Sequence, residues 1–269
     1  MGTLHKVAAI QMNSGADVAL NLARAVELVA EAAQAGAELV LLPEYFYLMG
    51  RQDADRVAMG EPFGNGPIQH FLASLAASQQ VWLSAGTLPL HSPVPGKVFN
   101  SNLWFDDQGH CVGRYDKIHL FGFENGSESY RESATLAAGD TITTVTTPVG
   151  DVRASVCYDL RFPELYRHQQ GYGLITAPAA FTYTTGQAHW ALLLRARAVE
   201  NQCYVLAAAQ TGTHSAGNRT FGHSMIVDPW GNILDCLEEG EGIVMAELDF
   251  SHMMKIRAQL PALQNRVFN

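Results

Sequence analysis

The chain opens with an alternation that few folds accept: a short apolar run, one amphipathic helical pattern, then a second apolar run. Residues 7–12 read as a buried strand. Over 18–35, Leu22, Val26, Val29 and Ala33 return at steps of four, three and four, which traces one face of a helix. Gly36 supplies a stop. Residues 38–42 form a second buried strand, closed by Pro43. A strand, a helix and a strand over this length make a βαβ unit with a parallel pair, so an α/β fold is expected.

The alternation continues downstream. A helical pattern over 66–80 precedes a strand at 81–86. Residues 98–105 and 111–115 flank the turn Asp106-Asp107-Gln108-Gly109, an antiparallel hairpin signal. A polar stretch over 121–133 reads as one long loop, a kind of segment that often carries function. Strands follow at 152–156, 174–177, 203–209 and 225–227, with Pro163 opening a helix and 187–201 helical. The turn 228–232 leads to 233–234, and 243–248 is the last clear strand. No linker and no repeat divides the chain, so 1–269 is expected to be a single domain. Strands and helices both look buried, which predicts layers of helix, sheet, sheet and helix.

Composition narrows the function classes. Hydrophobic residues make up 48% and charged residues 16%, too apolar for a disordered chain. No uncharged apolar stretch reaches the roughly 18 residues of a membrane span. Residues 1–7 carry no signal-peptide core, and Lys6 stands where myristoylation after Gly2 wants Ser or Thr. A cytoplasmic protein that neither spans nor coats a membrane is expected. The net charge of −9, without a basic run, argues against a nucleic-acid partner. Cys111, Cys157, Cys203 and Cys236 are scattered with no CxxC pair, which disfavours a zinc site or a disulfide framework.

Cys157 is the strongest candidate nucleophile. It follows an apolar strand and precedes Tyr158-Asp159-Leu160-Arg161-Phe162-Pro163, so it sits at the carboxyl edge of a sheet, where open α/β folds bind ligands. The Tyr158 N–H could face a developing oxyanion. A buried cysteine is more often a small hydrophobe, which is the reading for Cys203. A reactive thiol needs a base or a cation beside it. Glu44 and Lys117 occupy matching places at strand ends, although each alone would more often be a surface charge, and spacing does not bring them together.

Three segments, Leu42-Pro43-Glu44, Tyr115-Asp116-Lys117-Ile118-His119-Leu120 and Cys157-Tyr158-Asp159-Leu160-Arg161-Phe162-Pro163-Glu164-Leu165, resemble in order the signatures of the nitrilase superfamily of carbon–nitrogen hydrolases. The resemblance implies a four-layer α-β-β-α sandwich with mixed sheets and a Glu44-Lys117-Cys157 triad. It also implies a homodimer or larger homo-oligomer, and no metal or other cofactor. A second active-site glutamate is implied in the loop after the lysine. Glu132 is the match, with Glu124 and Glu128 as competitors.

The same resemblance points to a substrate class. Arg161 could grip a carboxylate, or equally form a structural ion pair with Asp159 or Glu164. The run from Pro178 through Phe181 to Thr184-Thr185-Gly186-Gln187 resembles the branch that hydrolyses amides of α-keto acids, which places Tyr158, Arg161, Phe181 and Thr185 against a small amide with a keto-carboxylate end. His119, His189 and Trp190 are expected to be framework residues. The run Gln210-Thr211-Gly212-Thr213-His214 resembles deaminated-glutathione amidases, whereas ω-amidases of 2-oxoglutaramate usually lack it.

Overall fold

In the computed structural model, residues 4–126, 129–169 and 171–267 are described. The N-terminal reading at Met1, Gly2 and Thr3 and the competitor Glu128 lie outside them.

The strand Leu4–Gln11 shows how the layers arise. Its side chains alternate between two cores: Ala8 and Ile10 face one, Val7 and Ala9 the other. Both faces of the sheet are therefore covered, which is why the run is apolar throughout rather than alternating. The first core closes under the helices Val18–Gln34 and Pro67–Gln79, through Leu28, Val29, Leu72 and Leu75. Asp17 caps the first helix by accepting the Leu20 N–H at 3.1 Å.

In the first sheet Leu4–Gln11 pairs in parallel with Leu39–Leu41, which pairs in parallel with Trp82–Ser84. Val98–Phe105 then runs antiparallel, followed by Cys111–Asp116 as expected from the hairpin turn. On the other side Leu4–Gln11 is paired antiparallel along its whole length with Gly242–Asp249. The second sheet orders Thr144–Thr147, Gly150–Ala154, Leu174–Ala179, Tyr204–Ala209, Ser224–Val227 and Ile233–Leu237. It is parallel at its centre and antiparallel at both flanks.

Val7, Ala9, Leu39 and Leu41 share the second core with Leu174, Val205 and Ala207 of the other sheet. The helix Tyr183–Asn201 covers that sheet from outside through Trp190, Leu194 and Ala198. The sandwich is thus α-β-β-α with mixed sheets. At one edge the sheets are joined by backbone: the Met12 N–H donates to Ala209 O (3.4 Å) and the Thr211 N–H to Met12 O (2.9 Å). Among the described residues no helix is long and apolar enough to cross a membrane.

Several segments differ from expectation, four of them instructively. The 121–133 stretch contains a small hairpin, Gly122–Glu124 with Ser129–Arg131, whose aromatic residues Phe121, Phe123 and Tyr130 gather on one another. The strand expected through Val156 ends at Ala154, because the backbone turns to bring Cys157 out of the sheet. The helix expected from Gln187 begins at Tyr183, because Thr182 caps it by accepting the Thr185 N–H (3.3 Å) and offsets three residues of poor propensity. The helix Phe250–Gln259 was not foreseen: it buries only Met253 and Ile256, too narrow a stripe to register as a period.

Candidate active site

Glu44 leaves the first sheet just beyond Leu39–Leu41. Its loop is shaped by Tyr45, which adopts φ +57°, and by Gly86 at φ +51°. A Cβ on Gly86 would lie 2.1 Å from Pro43 O, so only glycine lets the two backbones pass. The Tyr45 N–H donates to Thr87 Oγ1 (3.0 Å), and the Gln210 side chain donates to Glu44 O (3.1 Å). The carboxylate is buried and fully partnered. Oε1 accepts from Lys117 Nζ (2.9 Å) and Asn100 Nδ2 (2.9 Å), and Oε2 accepts from the Ala180 N–H (2.8 Å).

Lys117 follows Cys111–Asp116 and is completely buried. Besides Glu44 it donates to both oxygens of Glu132, at 2.9 and 2.8 Å. Burial alone would lower its pKa, but the Glu132 and Glu44 carboxylates outweigh that and hold the ammonium charged, well above the ordinary lysine value. Glu132 also accepts from the Phe121 N–H (2.7 Å) and the Tyr45 hydroxyl (3.0 Å). Burial, with the charge of Glu132, pushes the Tyr45 phenol well up, so it remains a donor. Glu124, by contrast, sits exposed on the small hairpin and bonds to neither Lys117 nor Glu44.

Cys157 opens a tight 3-10 turn, Cys157–Arg161, at φ +51°, a strained conformation for a residue with a Cβ. Asp159 holds this turn. Its Oδ2 accepts from the Val156 N–H (2.9 Å) and the Tyr115 hydroxyl (2.7 Å). Arg197 grips the far end, donating to Leu160 O through Nε (2.9 Å) and Nη2 (2.7 Å). Burial raises the thiol well above its usual range. The Glu44 carboxylate adds to this by charge and by hydrogen bonding, and Lys117 only partly opposes it. The resting sulfur is therefore a thiol with a carboxylate ready to accept its proton, rather than a preformed thiolate.

Two cavities meet at Cys157. The smaller, of about 210 Å³, is lined by Cys157 with Tyr158, Arg161, Phe181 and Thr185, the four residues expected to face the substrate. Arg161 makes no ion pair with Asp159 or Glu164. It lies 5.4 Å from the Phe181 ring and 5.7 Å from the Tyr158 ring, its Nη1 meets His189 Nδ1 at 3.3 Å, and its buried Nε has no partner. His189 is thus exposed beside Arg161 rather than buried in the framework. Trp190 is buried and donates to His223 O (2.8 Å). The larger cleft, of about 550 Å³, contains Glu44, Glu132 and Cys157.

Sequence reasoning missed Asn100 and Ala180, which share the Glu44 carboxylate, and Tyr45, which bridges Asn100 and Glu132. Tyr45 adjoins Glu44 in sequence and was within reach. Ala180 lies inside the Pro178-to-Phe181 run but acts through its backbone N–H, which no side chain announces, and nothing in the sequence marks Asn100. Among the described residues no group of three His, Cys, Asp or Glu side chains is placed to hold a metal ion.

This combination of a buried thiol, an acceptor carboxylate and a fixed ammonium suits acyl transfer from an amide. Comparison with known proteins points the same way. Residues 6–258 match the family model described as Carbon-nitrogen hydrolase. A Yersinia enterocolitica protein named deaminated glutathione amidase is 40% identical over 97% of this chain and 93% of its own length. A Homo sapiens protein of the same name is 39% identical over 97% of this chain and 81% of its own. The crystal structure of Saccharomyces cerevisiae Nit3, a member of branch 10 of the nitrilase superfamily, superposes with a TM-score of 0.88 at 33% identity, covering 98% of this chain and 97% of that one.

Proposed function

Because this chain belongs to the carbon–nitrogen hydrolase family and is a hydrolase of carbon–nitrogen bonds other than peptide bonds, we propose that it cleaves the amide of deaminated glutathione to 2-oxoglutarate and cysteinylglycine. The observation that carries this reading is the meeting of two cavities at Cys157, one holding Arg161 and the other Glu44 and Glu132. The keto-carboxylate half of the substrate lies in the smaller cavity against Arg161, Phe181 and Thr185. The guanidinium is held there by aromatic faces and leaves donors free for a bidentate carboxylate.

In the first half-reaction Cys157 Sγ attacks the amide carbon while its proton passes to Glu44. The oxyanion is stabilised by the Lys117 ammonium and the Tyr158 N–H, and Glu132 positions Lys117. Collapse breaks the C–N bond. Glu44 returns the proton to the departing nitrogen, so cysteinylglycine leaves as the amine and the 2-oxoglutaryl group remains as a thioester. In the second half Glu44 takes a proton from water, hydroxide adds to the thioester, and the C–S bond breaks as the proton goes back to sulfur.

The relatives named for this activity support the choice over 2-oxoglutaramate, as does the Gln210-to-His214 run. The domain is taken as single and cytoplasmic, with its thiols free. A homodimer or larger assembly fits the outward side of Tyr183–Asn201, where Leu192 and Val199 stay exposed.

The test is rapid mixing with deaminated glutathione, acid quenching and mass spectrometry of the peptides. A 2-oxoglutaryl adduct on the Cys157 peptide is expected, together with a higher kcat/KM than for 2-oxoglutaramate. An adduct elsewhere removes the nucleophile assignment, and a large preference for 2-oxoglutaramate removes the substrate.

A further inference from the structure

Cys157 stands between two compartments, one for each side of a scissile bond, and only the acyl side has been given a partner so far. The charges lining the larger cleft do not cancel locally. Glu44 and Glu132 share Lys117. Asp53 pairs with Arg56 at 3.2 Å, and Arg56 lies over the Tyr45 ring at 4.1 Å. Two further guanidiniums line the cleft, Arg131 and Arg219. Arg131 has no ion-pair partner among the described residues. Arg219 stacks on the Tyr183 ring at 3.8 Å and reaches only the exposed Glu239, at 3.5 Å, too long for a good charged hydrogen bond. Counted with Lys117, the cleft holds three carboxylates and four cations, so it is positive by one on a chain of net charge −9, which suits an anion.

Arg219 is not on a free-floating loop. It starts the second arm of a hairpin, Thr211–Thr213 with Arg219–Phe221. Gln210, just before the first arm, receives the Ser14 N–H at Oε1 (3.0 Å) and donates to Glu44 O through Nε2 (3.1 Å). His214, inside the hairpin, is buried and neutral, because burial lowers its pKa. Its Nδ1 donates to Ser14 O (2.9 Å), which leaves Nε2 to accept from the Thr220 hydroxyl (2.7 Å). Gly212, at φ +80°, passes so close to Asn13 that a Cβ would lie 2.8 Å from Nδ2. The Gln-x-Gly-x-His run therefore locks the hairpin to the loop that carries Glu44 and fixes where Arg219 stands relative to the base.

We infer that Arg219, with Arg131, anchors a carboxylate on the leaving-group side of the substrate, so that the 211–221 hairpin selects amines bearing a free carboxylate. The inference rests on the amidase reading above and extends it to the other half of the cleft. A substrate with a carboxylate at each end then has a guanidinium at each end, with its amide bond over Cys157.

The test compares deaminated glutathione with its C-terminal carboxamide, which removes only the leaving-group charge. The parent enzyme is expected to favour the free acid by about 10- to 100-fold in kcat/KM, the range of one charge-assisted hydrogen bond. In R131Q/R219Q that ratio falls toward one, chiefly through KM for the acid, and R219K retains part of it. A parent enzyme indifferent to the cap overturns the inference, whatever the variants do. So does a variant that loses rate on both compounds together and keeps the ratio. If the parent turns over neither compound, the amidase reading itself has failed, and this inference with it.

Discussion

Asp159 Oδ1 accepts the His119 backbone N–H at 3.0 Å and meets the His119 ring Nδ1 at 2.7 Å, so the turn that carries Cys157 is tied to the segment that carries Lys117. The same carboxylate, wholly buried, also holds the Val156 N–H and the Tyr115 hydroxyl. In the Asp159→Asn variant an amide nitrogen must face one of these donors. Leaving a buried donor unsatisfied, with the loss of charge, costs on the order of 2–4 kcal/mol. Urea unfolding of this variant is expected to show that loss with an unchanged m-value, and kcat is expected to fall more than KM rises.

Gly86→Ala tests the passage beside Glu44. The new methyl would collide with Pro43 O in a left-handed conformation. Strain and overpacking together cost about 2–4 kcal/mol. The Tm is expected to drop, and activity measured well below the new Tm is expected to drop too, because relief of the clash moves the Glu44 loop. A variant with parental rate would show that the loop tolerates the shift.

Alkaline pH is expected to destabilise the fold through three buried groups. The Cys157 thiol lies well above its ordinary 9.0, and Cys203 is pushed up to about 12 by burial. Lys117 is raised by Glu132 and Glu44 against the opposing effect of burial. In each case the folded pKa exceeds the unfolded one. Their contribution is complete below the unfolded values and is lost as pH rises through the folded ones. Denaturation midpoints are expected to decline from about pH 9 upward, and C203A is expected to flatten that decline. A flat profile to pH 11 would contradict the burial described here.

Arg161→Gln removes the guanidinium of the smaller cavity while keeping much of its shape. The expected result is a loss of about 10- to 100-fold in kcat/KM for α-keto acid amides, carried mainly by KM. Isothermal titration with 2-oxoglutarate gives an independent reading, since product affinity should weaken in parallel.

The parts of this molecule legible in the sequence are those whose burial pattern is local. Ala8 and Ile10 against Val7 and Ala9 already imply a sheet covered on both sides, and the Asp106–Gly109 turn implies its hairpin. The helix Phe250–Gln259 was illegible because two buried residues make no stripe. Leu88–His91 was hidden by Pro89, which is tolerated because this strand lies at the end of its sheet. At the site, Cys157 stands out by residue type and position, and only the resemblance of three segments to one family's signatures joins Glu44 and Lys117 to it. Asn100, Ala180 and Arg219 do not stand out, because their roles depend on which strands and hairpins lie side by side, and that is a non-local fact.

Glu44 rides on one sheet and Ala180 on the other, and the 2.8 Å bond between them spans the gap. A displacement of one sheet along the other by a single residue, about 3.3 Å, would break that bond and part the carboxylate from the sulfur. Turnover in this protein is therefore a gauge of alignment. Any agent that slides the two halves, even one that leaves every helix and strand intact, should silence the chemistry before it melts the protein.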